Sequence, residues 1–347
     1  MLRLTEPNFE HLIQNHMHCL TTQGRSQKTI DWYASNLKRF SRFLKSHNMP
    51  KSVKDIGISE VRRFIYHLQT EVVRWEDSPN IRDSGRLSPF SVQGYVRTIK
   101  AFWSWLLEEG YIEVNPMARL KLPRVPQKVI ATFTPEQIQA MINGLNRKNP
   151  TGFRDYTIIL LLFDTGIRLS ELTNLKIDDI DFGQTCLLVR GKGNKERGVP
   201  FGIQVRRALW RYIRDYRPDP ISSREDSVFL SETRFPLRPR SVQSMISRIC
   251  RRSGITGVRC SPHTLRHTFA KLYLMEGGDV FSLQKILGHS SLEMVKTYLN
   301  LALSDVSQQH PQFIVLVYGK FFHGCLTLRI YVHCQCIGYP FSTNKLD

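Results

Sequence analysis

The chain has 347 residues, which is long enough for two folded domains, and its hydrophobic content of 41% supports buried cores. Lysine and arginine number 49 against 30 aspartate and glutamate residues, so the formal net charge is +19. This excess indicates a polyanionic partner such as nucleic acid, because cations on a protein displace the counterions that phosphates condense. A merely basic protein is the alternative.

No stretch approaches the ~18 apolar residues that span a membrane, and the N-terminus lacks the apolar core of a signal peptide. Seven cysteines occur without the regular spacing of a disulfide framework. We therefore expect reduced thiols in a cytoplasmic protein that does not contact a membrane.

The first third of the chain predicts helices. Apolar residues recur there at three- and four-residue steps, as on one face of a helix: Ile30, Tyr33, Leu37, Phe40 and Leu44. Ser26 is positioned to cap this helix, and Ser88 followed by proline opens a later helix that ends at Gly110. Residues 61–68 predict a further helix and residues 76–86 a loop. We therefore predict a small helical domain over residues 1–115.

Residues 116–130 predict a linker, because Pro123 and Pro126 stiffen a stretch that also carries several basic side chains. These cations either hold the linker against phosphates or belong to a solvated hinge.

The second predicted domain, residues 131–309, opens at Thr134, a helix cap with proline after it. A dense apolar run at 158–163 predicts a buried segment, and two short strands at 186–189 and 198–201 flank a glycine-rich turn. Helices follow, and one of them carries five arginines that either contact DNA or form a solvated face. The predicted fold class is mainly α with a small β-sheet: a helical domain followed by a mixed α+β domain.

Two basic side chains follow or occupy glycine turns. Arg168 comes two residues after Gly166, which permits a sharp turn, and its planar guanidinium suits bidentate binding of a phosphate. The alternative is a surface ion pair with Glu171. Lys192 lies between two glycines in the turn that joins the predicted strands, where it is presented outward. An ordinary basic hairpin tip is the alternative.

A third motif begins at Ser261, which can cap a helix that contains two histidines. His263 lies near the positive end of that helix, where backbone amides favour an anion, and Arg266 shares its face. His263 and His267 also have the spacing of a zinc pair, but Thr264 stands where zinc proteases have glutamate. Packing within the helix is a plainer interpretation of His267.

A fourth motif lies further along the chain. Gly288 is placed to end one helix, and Ser290 with Glu293 predicts a capping box for the next. His289 then lies in the corner between the two helices, and Tyr298 about two turns along the second. The alternative is a corner histidine bonded to backbone and a tyrosine in the core.

The combination of these motifs favours phosphoryl transfer without a metal ion. That chemistry needs fixed cations around a pentacovalent phosphorus, a nucleophile, and an acid for the leaving oxygen. The residues that supply these parts are, in chain order, Arg168, Lys192, His263, Arg266, His289 and Tyr298. No carboxylate cluster with metal-ligand spacing occurs nearby, which counts against two-metal nuclease chemistry. We predict neither a metal ion nor a cofactor.

Residues 134–300 resemble the catalytic domain of tyrosine recombinases of the phage-integrase family. The matching segments are residues 165–172, 191–197, 263–267 and 287–289, followed by Tyr298. Residues 8–110 look like the helical core-binding (SAM-like) domain of that family, by weaker similarity. The resemblance implies a site-specific recombinase for DNA integration or exchange. Because the helical domain begins close to the first residue, with no arm-binding domain ahead of it, the Xer-like or transposon-encoded class fits best.

The resemblance also implies roles for the predicted residues. Tyr298 would attack the scissile phosphate, giving a 3′-phosphotyrosine and a free 5′-hydroxyl. Arg168 and Arg266 would bracket the non-bridging oxygens, and Lys192 would protonate the leaving 5′-oxygen.

The two histidines complete the implied site. His263 would assist as a base or hydrogen-bond partner, and His289 would donate a hydrogen bond to the phosphate. The implied assembly is a homotetramer on two double-stranded DNA sites, with an accessory directionality protein as a further partner.

Residues 310–347 depart from the family pattern. They carry one acidic residue, Asp347, and three of the seven cysteines, and residues 313–317 and 326–332 are apolar and β-like. Tails beyond the tyrosine in this family are usually short, polar and helical. We therefore expect the native chain to end near Gln309, with an atypical tail from a frameshift or an element junction. A genuine extra β-hairpin is the alternative.

Two other functions fit the same residues. A type IB topoisomerase uses the same chemistry to relax DNA without exchanging partners, and would relax any plasmid regardless of sequence. A non-catalytic DNA-binding relative would bind DNA with a steep salt dependence and form no covalent bond.

Overall fold

The computed structural model describes residues 8–50, 52–72, 85–126, 130–191, 195–289, 291–293, 295, 296, 298 and 299. The chain divides into two compact units, Met1–Lys128 and Val129–Asp347. The described residues are mostly helical and include one small antiparallel sheet, which confirms the predicted fold class. None of the helices within these ranges has the length and apolar character of a membrane span.

The described part of the first unit contains the helices α1 (Phe9–Thr22), α2 (Gln27–Ser46), α3 (Ile58–Thr70) and α4 (Pro89–Glu108). Ser26 and Ser88 accept backbone hydrogen bonds in the first turns of α2 and α4, so both predicted caps are confirmed. Gly110 follows the end of α4 with a φ of +73°, a conformation that glycine adopts without strain. Most of the predicted loop at 76–86 lies outside the described residues.

Aromatic side chains dominate the core of this unit. Phe40, Phe64 and Trp103 are fully buried, and the rings of Phe40 and Phe64 lie 4.9 Å apart. A buried hydrogen bond of 2.9 Å from Asn36 to Thr98 joins α2 to α4 inside this apolar region. Because a buried amide without a partner would be costly, this pair specifies how the two helices align.

The stretch predicted as a linker begins as part of the first unit. Pro116–Arg119 forms a single 3₁₀ turn, and Met117 and Leu120 are buried in the helical core. The ammonium of Lys100 in α4 donates to three carbonyl oxygens of this segment at 2.7 to 3.1 Å. Its first five residues are therefore packed, whereas residues 127–129 lie outside the described residues.

The described part of the second unit contains α5 (Pro135–Asn143), α6 (Pro150–Thr165), α7 (Leu169–Thr173), α8 (Ile203–Arg211), α9 (Pro239–Arg252), α10 (Pro262–Met275) and α11 (Val280–Leu287). Helix α6 runs through the middle of the core, with Ile158, Ile159 and Leu161 fully buried. The apolar run at 158–163 is therefore buried, as predicted. Ser261 caps α10, also as predicted.

Three antiparallel strands form the sheet in the order β1 (Ile180–Asp181), β2 (Cys186–Arg190) and β3 (Glu196–Pro200). Strand β3 begins two residues earlier than the sequence predicted, because Arg197 and Glu196 extend the ladder opposite Val189 and Arg190. Residues 191–195 join these two strands, and residues 192–194 lie outside the described residues.

Candidate active site

A glycine turn places Arg168 at the centre of the site. Gly166 ends α6 in the left-handed conformation (φ +58°), and an added Cβ there would lie 2.4 Å from the ring of Phe269. The chain can therefore turn sharply and bring Arg168 to the start of α7. Its guanidinium donates to the carboxylate of Glu171 at 2.9 Å and to the carbonyl of Gly288 at 3.0 Å.

Glu171 is buried and binds a second arginine, Arg197 of β3. Two parallel hydrogen bonds of 2.8 and 2.9 Å join the guanidinium to the carboxylate, and Arg197 Nε donates to the carbonyl of Ile286 at 2.7 Å. Burial raises the pKa of Glu171, but the hydrogen bonds from Arg197 and Arg168 outweigh it and lower the pKa to about 2. Glu171 is therefore a permanent anion that holds both arginines.

The sequence did not predict Glu171 or Arg197 as site residues. The ion pair between Arg168 and Glu171 was considered only as a surface alternative to a functional arginine. In the structure the pair exists, but the glutamate side chain is only 1% exposed, and the Arg168 side chain keeps 32% of its surface exposed. The pair thus positions Arg168 without hiding it.

Arg266 of α10 is buried and connects three chain segments. Its guanidinium donates to the carbonyl oxygens of Gly166 at 2.6 Å and Leu287 at 2.7 Å, and to Nε2 of His289 at 2.9 Å. Burial, with the nearby charge of Arg168, lowers the pKa of Arg266 to about 10, so it remains a cation at neutral pH.

His263 and His267 lie on the same helix as Arg266. Burial lowers the pKa of both imidazoles, and the charge of Arg266 lowers it further, so both are neutral near pH 7. The charge of Arg168 also lowers the pKa of His263. The ring of His267 lies 5.4 Å from the ring of Tyr298, so this histidine borders the site as well as packing the helix.

His289 follows Gly288, which ends α11 in the left-handed conformation (φ +63°). Burial and the charge of Arg266 lower the pKa of His289 to about 4, so its ring is neutral. Because arginine only donates, its contact with Nε2 leaves the imidazole proton on Nδ1. Within the described residues, this buried Nδ1 has no hydrogen-bond partner.

Tyr298 lies against these groups with 5% of its surface exposed. Its ring stacks on His289 with centroids 5.9 Å apart and an interplanar angle of 13°. Burial raises the pKa of Tyr298, while the charge and hydrogen bond of Arg266 act in the opposite direction. The phenol is therefore protonated at neutral pH and needs a base, or the phosphate itself, to accept its proton.

The structure thus brings together five of the six predicted residues: Arg168, His263, Arg266, His289 and Tyr298. Lys192 lies outside the described residues, as does Ser290 of the predicted capping box. The strands on either side of Lys192 are described. One of them, β3, is hydrogen-bonded to Glu171 through Arg197. Two fixed cations, neutral imidazoles and a phenol in one pocket form the side-chain set of a tyrosine-type DNA strand transferase.

Comparison with known proteins agrees with this class. Residues 131–304 match the phage integrase family, and residues 12–111 match the phage integrase N-terminal SAM-like domain. The tyrosine recombinase XerC of Oceanobacillus iheyensis is 33% identical over 297 residues, covering 84% of this chain and 92% of the relative. XerC of Anoxybacillus flavithermus is 32% identical, covering 84% and 91%. The chain therefore belongs to the phage integrase family of tyrosine recombinases and is of the Xer-like type.

Solved structures show the same fold. The XerH site-specific recombinase bound to a palindromic difH substrate superposes with a TM-score of 0.67 at 19% identity, covering 87% of this chain and 84% of that one. A lambda integrase dimer bound to a core site gives 0.64 at 20% identity, covering 83% and 97%. The family match and the XerC relatives identify the chain as a site-specific recombinase. They do not favour a relaxing topoisomerase or a non-catalytic relative.

Proposed function

We propose that this chain cuts one DNA strand at a specific site by attack of Tyr298 on the scissile phosphate. The Tyr298 Oη–P bond forms as the bond from phosphorus to the 5′-oxygen breaks, and Lys192 supplies the proton that this leaving oxygen takes up. Attack by a 5′-hydroxyl from the partner duplex reverses the step and releases the tyrosine. The phosphotyrosine ester conserves the bond energy, so strand exchange needs no nucleotide cofactor.

The two arginines stabilise the charge that develops on the phosphate. Arg168 and Arg266 are held by Glu171 and by backbone carbonyls before DNA arrives, so little reorganisation is needed in the transition state. The Arg168 side chain is about one-third exposed and is the cation accessible to a phosphate from solvent.

The histidines act as neutral hydrogen-bonding groups. His289 donates its Nδ1 proton to a non-bridging oxygen, because Nε2 is occupied by Arg266. His263 is neutral at physiological pH and can accept the tyrosine proton or donate to the phosphate.

One observation carries the proposal: a buried tyrosine stacked on a histidine that is itself bonded to a buried arginine. A tyrosine that served only the core would not require, beside it, a buried arginine held by carbonyl oxygens and a neutral imidazole. The substrate is double-stranded DNA, and the working assembly is a tetramer on two sites. A lambda integrase tetramer bound to a Holliday junction has the same fold, with a TM-score of 0.63. We further propose that an accessory protein sets the direction of recombination and that the reaction takes place in the cytoplasm.

The domain division also remains a proposal: a core-binding domain over residues 1–115, a linker over 116–130, and a catalytic domain over 131–309. The two compact units and the two family matches support it. The tail from residue 310 lies outside the described residues.

The test is trapping on a suicide substrate. The full chain is incubated in EDTA with nicked duplexes that carry its own genomic flanking sequence, and the products are run on a denaturing gel. A protein–DNA band is expected for the wild type and none for Tyr298→Phe, whereas both proteins should bind the duplex equally. DNA binding without an adduct by the full chain and also by the chain cut after Gln309 would contradict the proposal.

A second arm addresses the tail. The chain is cut after Gln309 and tested on the same substrates. If only the shortened chain forms the adduct, the tail is inhibitory and the chemistry stands. If neither form does so on any flanking sequence, Tyr298 is not the nucleophile.

A further inference from the structure

A group of side chains that could bind a metal ion lies in the helical unit. His47 follows the last residue of α2, His67 lies in the last turn of α3, and Glu71 directly follows α3. One ligand atom from each of these three side chains lies within 4.8 Å of the other two. The rings of the two histidines are 5.5 Å apart and nearly perpendicular.

The hydrogen bonds of His47 leave one ring nitrogen ready for a metal ion. Its Nδ1 lies 3.0 Å from the carbonyl oxygen of Phe43, which can only accept, and 3.0 Å from the hydroxyl of Ser46, which itself donates to that carbonyl. The proton is therefore assigned to Nδ1. The lone pair is then on Nε2. A histidine that donates its other nitrogen to a backbone carbonyl is the arrangement that orients metal-binding imidazoles in proteins.

His67 and Glu71 form the other half of the cluster. His67 Nδ1 and a Glu71 carboxylate oxygen are 2.6 Å apart, and because the carboxylate accepts, Nδ1 donates its proton to it. A divalent cation can replace that proton and bind both atoms, since ligands must deprotonate for a metal to bind. His67 and Glu71 are four residues apart, so they lie on the same face at the end of α3.

The surroundings favour a modest affinity. The three side chains line an open groove on the surface of the unit, so water can complete the coordination. Arg62 and Arg63 line the same groove and oppose a cation there, although Arg63 also faces the carboxylate of Glu60.

We infer that His47, His67 and Glu71 form a binding site for a borderline transition-metal ion such as Zn²⁺. Two imidazoles and one carboxylate with an open fourth position suit Zn²⁺ and Co²⁺, whereas Mg²⁺ prefers oxygen ligands alone. The bound ion joins the end of α2 to the end of α3. It therefore stabilises the helical unit.

The test compares metal binding by the full chain and by single variants. Titration calorimetry with Zn²⁺ and the visible absorption of added Co²⁺ report binding, and thermal unfolding reports stabilisation. Zn²⁺ at about tenfold excess over its Kd should raise the Tm by roughly 3–6 °C, and Mg²⁺ should not. His47→Ala and His67→Ala should weaken Zn²⁺ binding at least ~10-fold.

His18→Ala is the matched control, because His18 is an exposed histidine of α1 outside the cluster. The other histidines and cysteines of the chain are the same in every variant, so only differences between variants are interpreted. Glu71→Gln provides a second test that keeps the size of the side chain, and circular dichroism confirms folding. Equal Zn²⁺ affinity and equal Tm shifts in His47→Ala, Glu71→Gln and His18→Ala would overturn the site.

Discussion

The guanidinium of Arg266 donates a hydrogen bond of 2.9 Å to Nε2 of His289. It also donates one of 2.7 Å to the backbone carbonyl of Leu287, two residues before that histidine. The position and the tautomer of His289 therefore depend on Arg266. In the proposed reaction, Arg266 therefore balances phosphate charge and also keeps the proton of His289 on Nδ1, from which it can be donated.

Replacing Arg266 should affect both functions. In Arg266→Gln, the rate of adduct formation on a suicide substrate should fall by roughly 10²–10³ or more, because a fixed cation is lost from the transition state. Loss of the nearby positive charge should also raise the pKa of His289 above its value of about 4, which NMR titration can measure. An unchanged cleavage rate with a folded variant would argue against the proposed role.

The buried carboxylate of Glu171 should contribute to stability as well as to activity. Glu171→Gln leaves two arginines without their shared anion and should lower the free energy of unfolding by on the order of 3 kcal/mol. Denaturant unfolding measures this change. Asp226→Asn, which breaks the exposed ion pair with Lys176, is the control and should change the free energy of unfolding far less, because solvent screens that pair. Similar losses in the two variants would contradict the structural role of Glu171.

An alanine at position 166 should be more destabilising than an alanine at position 254, although both glycines have a similar positive φ. Gly166→Ala combines positive φ with a Cβ at 2.4 Å from Phe269, whereas Gly254 has a φ of +64° and no atom within 4 Å of a Cβ. Gly254→Ala should cost about 1–2 kcal/mol of folding free energy, and Gly166→Ala about 1–3 kcal/mol more. Urea unfolding of both variants separates backbone strain from the steric clash.

The helical unit should lose stability in mild acid. Burial among Tyr33, Phe102 and Trp105 lowers the pKa of His16 to about 4. Below pH 6.5 the unfolded chain binds a proton that the folded unit does not take up until about pH 4. The free energy of unfolding should therefore fall by about 2 kcal/mol between pH 7 and pH 5.

Two variants check this prediction by urea unfolding at both pH values. In the unfolding transition of the helical unit, His16→Phe should abolish most of the difference, whereas His18→Ala, an exposed histidine on the same helix, should retain it. A difference that persists in His16→Phe would assign the acid sensitivity to other groups.

Local features of the fold were predictable from the sequence. Caps such as Ser26, Ser88 and Ser261 are visible because the hydrogen bond forms within three residues along the chain. The same holds for the sharp turns at Gly166 and Gly288, where only glycine adopts a positive φ without strain.

Contacts between distant segments were not predictable. Glu171 and Arg197 are separated by 26 positions and meet only because α7 packs near β3, so no periodic pattern signals the pair. The function of the five arginines predicted on one helix was equally ambiguous: Arg206, Arg207, Arg211, Arg214 and Arg217. Arg217 donates to the carbonyl oxygens of Ser227 and Val228, and is a structural residue rather than an exposed cation.

The anchoring of residues 116–120 by Lys100 has a practical consequence for dissecting the protein. A fragment that stops at Gly110, just after α4, would discard Met117 and Leu120 from the hydrophobic core. It would also leave the Lys100 ammonium without its three carbonyl acceptors. Within this segment, trypsin should accordingly spare Arg119 and cleave at the exposed Lys121 or Arg124. The shortest autonomous N-terminal fragment therefore ends beyond residue 120.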